Sequence, residues 1–314
     1  MRKVAFIFPG QGSQTVGMGK DLYERYAIVR DTFNEADKAL EFSITGLCFD
    51  GPGEELKKTA NTQPAILTVS VALTRLLNEH GIRPDIVAGH SLGEYSALVA
   101  ADALDFSDAV RLVRKRGQYM QEAVPLGEGA MAAVMGLNRE AIIEICKKIA
   151  LDFGIVQPVN FNCPGQVVIA GKTAAVEKAA ELLKEAGAKR VLPLPVSAPF
   201  HSSLLEPAAQ KLAGEFRKIK LRNPKVPVVA NVNGEIITNG EIMQELLIRQ
   251  AASPVLWEDC VAKIVEFGAT VLVEVGPGKV LTGFTKKIAP DATALNVEDV
   301  ASFEKTLDYF QEVR

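Results

Sequence analysis

The sequence predicts an α/β fold in which helices cover a parallel sheet and a smaller sheet is inserted into the larger unit. Apolar runs of strand length alternate with amphipathic stretches of helix length, which is typical of a parallel sheet covered by helices. The strand-length runs are VAFIF (4–8), DIVAG (85–89), VVANV (228–232) and TVLVEVG (270–276). We therefore expect these runs to lie in one sheet.

The segment from residue 128 to residue 196 contains shorter elements in the order βαββαβ. This order is typical of a ferredoxin-like unit, in which a four-stranded antiparallel sheet packs two helices on one face. We predict that residues 128–196 form such a subdomain, inserted into a core formed by residues 1–127 and 197–314. An alternative interpretation is that these strands extend the main sheet, because periodicity is a fallible guide.

Length and charge narrow the function classes. The 314 residues suffice for one large α/β domain with a smaller one inserted. A net charge of −3 argues against a general nucleic-acid-binding protein, which usually has a strongly basic domain. The apolar run at residues 4–8 ends at Pro9, so it is too short for a signal sequence or a membrane span. We expect a small-molecule or protein partner, and neither nucleic acid nor a membrane.

The cysteines indicate a reducing compartment. Cys48, Cys146, Cys163 and Cys260 are far apart in the sequence, with no CxxC pair and no histidine cluster around them. This spacing predicts neither a disulfide framework nor a zinc site. We expect a cytoplasmic protein that holds no metal.

Ser91 is the candidate nucleophile. It lies in Gly89-His90-Ser91-Leu92-Gly93, between the apolar run DIVAG and the helix-like EYSALVAADAL. In a GxSxG turn the glycines permit a sharp strand-to-helix connection that lifts the serine hydroxyl clear of the sheet, next to the helix N-terminus. The pattern alone is weak, but its position between a strand and a helix favours nucleophilic catalysis.

A serine hydroxyl needs a base to attack an acyl carbon, and the chain has three histidines. His80 lies at an apparent helix end, where a surface or capping role is expected. His90 is part of the turn itself, and its side chain is expected to pack away from the hydroxyl. His201 follows the last strand of the inserted segment in a proline-containing loop, a common place for catalytic residues. We predict that His201 is the base.

Acyl transfer also requires donors to a developing oxyanion, most simply two backbone N–H groups. The amide of Leu92, directly after the nucleophile, is the first candidate. The loop FPGQGSQ (8–14) is expected to supply the second near Gln11, because Gly10 and Gly12 permit a close backbone approach. A nucleotide-binding glycine turn is the alternative, but the loop has neither the GxGxxG nor the GxxxxGK[ST] pattern.

Arg116 lies in VRKRGQYMQ, directly after Arg114 and Lys115. A run of charges usually marks a solvated helix face, so the local pattern leaves its role open. Carboxylate binding becomes attractive if the acyl group carries a free acid, because the planar guanidinium pairs with a carboxylate through two hydrogen bonds.

Together these motifs resemble one family, the malonyl-CoA:acyl carrier protein transacylases of fatty acid synthesis and their relatives within polyketide synthases. The matching segments span almost the whole chain in the family's order: FPGQGSQ (8–14), TQPAI (62–66), AGHSLGEYSAL (88–98), RGQYMQ (116–121), APFHSSLL (198–205), RQAASPVLW (249–257) and VEVGPGKVLTG (273–283). Agreement of so many segments makes chance similarity implausible.

The resemblance implies a hydrolase-like core with a ferredoxin-like insertion, and a ping-pong reaction through an acyl-serine. It implies that Ser91 is acylated, that His201 is its base, and that a backbone carbonyl at Gln250 holds the histidine where other serine enzymes use a carboxylate. The oxyanion-hole positions of the family match Gln11 and Leu92.

The resemblance also implies a pocket for the malonyl group. Arg116 matches the arginine that pairs with the malonyl carboxylate, and Gln63, Met120 and Asn162 match pocket positions. Phe200 resembles the residue of malonyl-selective members, whereas methylmalonyl-selective polyketide domains tend to have serine there. The segment APF is not the commonest form, so a broader acyl range stays open.

The expected substrates are malonyl-CoA and acyl carrier protein, without a cofactor, in the cytoplasm of a bacterium. The sequence does not report the oligomeric state, and a monomer is the expectation. Because acyl carrier proteins are typically acidic, we expect a basic docking surface. The candidate residues are Lys189, Arg190, Lys286 and Lys287, each of which is equally compatible with an ordinary solvated side chain.

Two other function classes remain open from the sequence. A serine hydrolase of lipase or thioesterase type shares GxSxG, and it would have a carboxylate beside His201. A non-catalytic docking module would be expected to have lost Ser91, His201 or Arg116, all of which are present.

Overall fold

The computed structural model describes residues 2–196 and 198–312, in which helices surround two sheets. The strands are β1 (Lys3–Phe8), β2 (Ile86–Gly89), β3 (Gly129–Met135), β4 (Val156–Cys163), β5 (Gln166–Lys172), β6 (Arg190–Pro193), β7 (Val228–Val229), β8 (Ile236–Ile237), β9 (Ala269–Val275) and β10 (Thr293–Val297). The α-helices are α1 (Lys20–Arg25), α2 (Ala27–Leu40), α3 (Ile44–Asp50), α4 (Gly53–Lys57), α5 (Thr59–Glu79), α6 (Gly93–Ala100), α7 (Phe106–Glu122), α8 (Arg139–Phe153), α9 (Thr173–Glu185), α10 (Glu206–Phe216), α11 (Gly240–Gln250), α12 (Trp257–Glu266), α13 (Val280–Ile288) and α14 (Val300–Glu312).

The larger sheet has the strand order β10-β9-β1-β2-β7-β8. All neighbouring pairs are parallel except β7 and β8. Along β1, Phe6 and Phe8 pack into one apolar cluster while Ala5 and Ile7 pack into another on the opposite face. This burial on both faces is why β1 is a continuous apolar run. The predicted parallel sheet is confirmed.

The edges of this sheet differ from the prediction. The strand expected at residues 228–232 ends at Val229, because the chain turns there and directs the side chain of Asn231 toward the Ser91 turn. The short β8 adds an antiparallel edge, and β10 adds a parallel strand at the other edge. Both additions fall in stretches whose apolar pattern did not indicate a strand.

The smaller sheet is antiparallel, with the order β4-β5-β3-β6. Helices α8 and α9 cover one face, where Val134, Ile142 and Val176 share an apolar cluster. The predicted ferredoxin-like arrangement is confirmed, and the alternative of an extended main sheet is wrong. The domain boundaries at 127/128 and 196/197 stay predictions, and residue 197 lies outside the described residues.

The uncovered face of the smaller sheet turns toward the core. Met131 and Val168 from this face share an apolar cluster with Met120 of α7 and with Phe200. Strand β4 is also hydrogen-bonded to the segment before α12, since Phe161 N donates to Val255 O (2.9 Å) and Val255 N donates to Val159 O (2.8 Å). These contacts place the smaller sheet over the turn that follows β2.

Candidate active site

Ser91 occupies a tight turn between β2 and α6, with φ of 53°. The glycines on either side are sterically required: a Cβ at Gly89 would lie 1.9 Å from the Gly93 backbone, and one at Gly93 would lie 2.1 Å from Phe8 O. Asn231 supports the turn, because its Oδ1 accepts from Ser91 N (2.7 Å) and its Nδ2 donates to Gly89 O (2.8 Å). The turn therefore holds the Ser91 hydroxyl in one place.

His201 is buried and meets the nucleophile directly. Its Nε2 lies 2.7 Å from Ser91 Oγ, and its Nδ1 lies 2.8 Å from the main-chain oxygen of Gln250. A carbonyl oxygen only accepts hydrogen bonds, so Nδ1 carries the proton and the lone pair of Nε2 faces the hydroxyl. The structure thus brings together the three residues of the predicted catalytic set, with a carbonyl as the third member.

Arg116 is buried on α7, unlike its partly exposed neighbours in the charge run. Its Nη1 donates to Gln63 Oε1 (2.9 Å), and its Nη2 donates to Gln250 Oε1 (2.8 Å) and Ser91 Oγ (3.2 Å). The alternative of a solvated helix face is wrong for this residue. All three of these acceptors are neutral, so among the described residues they leave the buried guanidinium without a carboxylate in direct contact.

A cavity of about 100 Å³ opens above Ser91. Its lining contains most of the predicted site residues: Gln11, Gln63, Ser91, Leu92, Arg116, Met120, Phe200 and His201. Gln250 lies behind this lining, where it contacts Arg116 and His201. Asn162 lines the adjoining cavity, of about 270 Å³, together with Gln11 and His90. The structure therefore brings together all the predicted residues except Asn162, which lies one cavity away.

The loop after β1 packs directly on the nucleophile turn. A Cβ at Gly10 would lie 2.5 Å from His90 O, so glycine serves a backbone-to-backbone approach there. Gln11 follows, and its Nε2 donates to Thr59 Oγ1 (3.3 Å). This approach places Gln11 and Leu92 on the same cavity, as a two-amide oxyanion hole would require.

The other two histidines have local partners. His90 Nε2 lies 2.9 Å from Asn162 Oδ1, and its ring centroid lies 5.6 Å from that of Trp257. His80 ends helix α5, where its Nδ1 lies 2.9 Å from Leu76 O. Neither ring is the hydrogen-bond partner of the Ser91 hydroxyl.

Comparison with known proteins shows the family. The family described as "Acyl transferase domain" matches residues 5–309. The chain belongs to this family. A malonyl CoA-acyl carrier protein transacylase of Bacillus subtilis (strain 168) is 49% identical over 99% of this chain and 98% of its own length. One from Escherichia coli O157:H7 is 53% identical over 98% of this chain and 100% of its own length. The resemblance predicted from the motifs is confirmed, and the chain is an acyltransferase.

Solved structures agree with this assignment. An acyl carrier protein S-malonyltransferase from Vibrio cholerae has a TM-score of 0.95 and 50% identity, over 97% of this chain and 99% of its own. A malonyl-transacylase solved in complex with a type II PKS acyl-carrier protein has a TM-score of 0.95 and 49% identity, over 98% and 99%. The predicted fold class of the acyltransferase is confirmed by these matches.

Burial keeps the imidazole of His201 neutral. It lowers the pKa of His201 to about 3, and the positive charge of Arg116 lowers it further, while the hydrogen bond to Gln250 O acts in the opposite direction. Burial also lowers the pKa of Arg116, against the raising effects of Tyr95 and Glu94. A neutral imidazole is the form that accepts a proton from serine.

Asn231 and Glu94 are polar residues next to the Ser91 turn that were not predicted from the sequence. Asn231 supports the Ser91 turn, and Glu94 lies fully buried beneath Arg116 and accepts from Gln250 Nε2 (2.5 Å). Each carried a signal, since Asn231 interrupts the apolar run VVANV and Glu94 is a charge at the start of an otherwise apolar helix.

Within the described part of the chain, no three histidine, cysteine, aspartate or glutamate side chains are grouped as a metal site would require. Every helix in residues 2–196 and 198–312 is too short or too polar to span a bilayer.

Proposed function

We propose that this chain transfers the malonyl group of malonyl-CoA to the phosphopantetheine thiol of acyl carrier protein, through a malonyl-Ser91 intermediate, in fatty acid synthesis. We further propose that it acts as a cytoplasmic monomer. The observation that carries the reaction is the position of Ser91 Oγ, which contacts both His201 Nε2 (2.7 Å) and Arg116 Nη2 (3.2 Å). A base and a buried cation beside one hydroxyl suit an acyl group that carries its own anion.

In the first half-reaction, Ser91 Oγ attacks the thioester carbonyl of malonyl-CoA while its proton passes to His201 Nε2. The amides of Gln11 and Leu92 receive the developing oxyanion, in a site where preorganised donors need no reorientation. His201 then protonates the departing CoA thiolate, and the malonyl ester of Ser91 remains. Each proton taken by the base in one step is returned in the next.

The second half-reaction is the first in reverse. The thiol of the carrier's phosphopantetheine gives its proton to His201 Nε2 and attacks the ester carbonyl. The C–O bond to Ser91 breaks, and His201 returns the proton to Ser91 Oγ. The carrier leaves as a malonyl thioester, so the two substrates use the same site in turn.

Arg116 is proposed to select the acyl group. Its guanidinium pairs with the malonyl carboxylate and holds the chain in one pose above Ser91. An acetyl group would leave the buried guanidinium without a carboxylate in direct contact, so it would gain none of the binding that the malonyl carboxylate provides. Gln63, Met120, Asn162 and Phe200 are proposed to complete the binding of the acyl group and the adjoining thioester arm.

The hydrolase alternative is less well supported. It predicted a carboxylate beside His201, whereas Nδ1 of His201 faces the Gln250 main-chain carbonyl. Retention of Ser91, His201 and Arg116 in one contact network likewise argues against a non-catalytic docking module.

The division of the chain follows the same proposal. The core, 1–127 and 197–314, would carry the nucleophile and base, and the subdomain, 128–196, would close the cavity from above. The four candidate docking residues are exposed and take part in no ion pair among the described residues. Lys286 and Lys287 end helix α13, whose first residues line the adjoining cavity. We propose that these cations meet the acidic carrier.

The test is intact-protein mass spectrometry after brief incubation with malonyl-CoA, with the native chain and Ser91→Ala compared. We expect a malonyl adduct on the native chain alone, and its loss when acyl carrier protein is added. Steady release of free malonate without transfer to the carrier would favour the hydrolase instead. Absence of any adduct on folded native protein would contradict the proposed intermediate.

A further inference from the structure

Glu94 is a buried acid beneath the cavity that the proposed mechanism does not use. Its side chain is fully buried at the start of α6. Oε2 accepts a hydrogen bond from Gln250 Nε2 (2.5 Å), and both carboxylate oxygens lie 3.4 Å from Asn231 N. Burying an ionised carboxylate is costly unless a cation or several donors compensate. An ionised Glu94 therefore lowers the stability of the fold unless a partner compensates its charge.

The side-chain amide of Gln250 connects this acid to Arg116. Its Oε1 accepts from Arg116 Nη2 (2.8 Å), while its Nε2 donates to Glu94 Oε2 (2.5 Å) and to Ser91 O (2.9 Å). Because the acceptors at Glu94 and Ser91 surround Nε2, the amide has only one satisfactory orientation. That orientation directs Oε1 at the guanidinium. Glu94 thus influences Arg116 by orienting the Gln250 amide that lies between them.

No carboxylate among the described residues contacts Arg116 directly, since its guanidinium donates to Gln63, Gln250 and Ser91. The nearby negative charge that can balance it is Glu94. An arriving acyl carboxylate would put a second negative charge beside one guanidinium. Two buried carboxylates near one cation cannot both remain ionised without a large penalty.

We propose that Glu94 is a positioning residue and the relayed counter-ion of Arg116, and that it takes up a proton when an acyl carboxylate reaches the guanidinium. The acyl anion then replaces Glu94 as the negative partner of Arg116. This inference rests on the proposed function, because it requires a carboxylate-bearing acyl group in the cavity. In this proposal one proton is taken up when the acyl group binds, and the bonds made and broken at Ser91 stay the same.

The surrounding charges are consistent with this exchange. Burial raises the pKa of Glu94 to about 7, whereas the hydrogen bonds from Gln250 and Asn231 and the charge of Arg116 lower it. The other titratable groups near Glu94 are neutral at pH 8: burial raises the pKa of Tyr95 to about 12, raises that of Cys260 well above its usual value, and lowers those of His90 and His201. Tyr95 and Cys260 already carry their protons at pH 8, and burial disfavours protonation of His90 and His201, so Glu94 is the group that best accepts the proton.

The experiment is calorimetric titration of the Ser91→Ala chain with malonyl-CoA at pH 8, repeated in buffers with different ionisation enthalpies. Acetyl-CoA, titrated in parallel, corrects for the CoA phosphates. With a Glu94 pKa of about 7, linkage predicts uptake of roughly 0.9 proton per malonyl-CoA beyond the acetyl-CoA value, and affinity that falls roughly fivefold from pH 7 to pH 8. Equal proton uptake with the two thioesters would overturn the inference.

Two further variants separate Glu94 from a general effect of buried acids. Ser91→Ala/Glu94→Gln should bind malonyl-CoA with no excess proton uptake. Ser91→Ala/Glu274→Gln is the matched control, because Glu274 is also a buried acid, with a pKa raised to about 7, but it accepts from the amides of Leu281 and Thr282 at the start of α13. That control should keep the uptake. If the Glu94 variant does not fold, the comparison of malonyl- and acetyl-CoA on the single variant still decides the inference. Failure of Ser91→Ala to bind malonyl-CoA, together with no adduct on the native chain, would instead remove the proposed function itself.

Discussion

The two ends of the cavity are built from different kinds of backbone. The reacting end, Ser91 and His201, lies in turns with φ of 53° and 65°, a conformation that costs a non-glycine residue on the order of 1 kcal/mol. The side chains of the anchoring end project from regular helices. They are Gln63 on α5, Arg116 on α7 and Gln250 on α11. Under the proposed mechanism, the comparison predicts that the reacting end governs the rate with every acyl group, whereas the anchoring end governs which acyl group reacts.

The largest effect is expected at the reacting end. His201→Ala removes the proton acceptor of Ser91, so acylation should slow by about 10³-fold, a typical contribution of general-base catalysis. The loss should be similar for malonyl-CoA and acetyl-CoA, measured as adduct formation in single-turnover experiments. A loss confined to malonyl-CoA would break the distinction between the two ends.

A smaller and more selective effect is expected at the anchoring end. Arg116→Ala should slow malonyl transfer by about 10²-fold, because removing one partner of a buried charge pair costs about 2–5 kcal/mol. Acetyl-CoA should react as well as before or better, since it has no carboxylate for the guanidinium to bind. Thermal unfolding should accompany the kinetics as a check of folding. Equal losses with both thioesters would mean that Arg116 acts on structure and does not recognise the carboxylate.

The carrier-docking proposal predicts an effect of several-fold that depends on salt. Lys286→Glu/Lys287→Glu reverses two exposed charges at the end of α13 and should weaken transfer to acyl carrier protein about fivefold at low ionic strength, with little difference at high salt. Lys220→Glu/Lys305→Glu makes the same charge change at exposed residues outside the cavity lining. If both double variants lose the same activity, net charge and not this surface is responsible.

The smallest effect concerns pH. The acylation rate should not depend on pH in the range where a histidine with an ordinary pKa would lose its activity as a base. In the proposed mechanism neutral imidazole is the active form, and a pKa of about 3 keeps His201 neutral down to strongly acidic pH. Acylation by acetyl-CoA should therefore change less than about twofold between pH 7 and pH 5, whereas a base with the usual pKa near 6.5 would lose about 25-fold. Circular dichroism at each pH would confirm that the protein stays folded. A midpoint near pH 6.5 would contradict the burial of the base.

Local patterns predicted the elements that position the nucleophile. The apolar run before Ser91 and the glycines around it indicate the strand, the turn and the helix, because each depends on neighbours within a few residues. The βαββαβ order likewise predicted the smaller sheet. The short edge strand β8 was missed because two residues are too few to show a period.

Contacts between distant residues were not predictable from local pattern. His201 lies 110 positions after Ser91, so its selection depended on the small number of histidines and on the family resemblance. Gln250 followed from the resemblance alone. Asn231 and Glu94 were not predicted, because their partners across the fold become visible only when β7 and α11 are placed beside the turn.

The hydrogen-bond partner of His201 Nδ1 is a main-chain oxygen, so a change of the side chain at residue 250 does not remove it. A point substitution at residue 250 replaces the amide that touches Arg116 but leaves the carbonyl in place. A substitution there should therefore change the contacts of Arg116 and Glu94 while His201 keeps its acceptor.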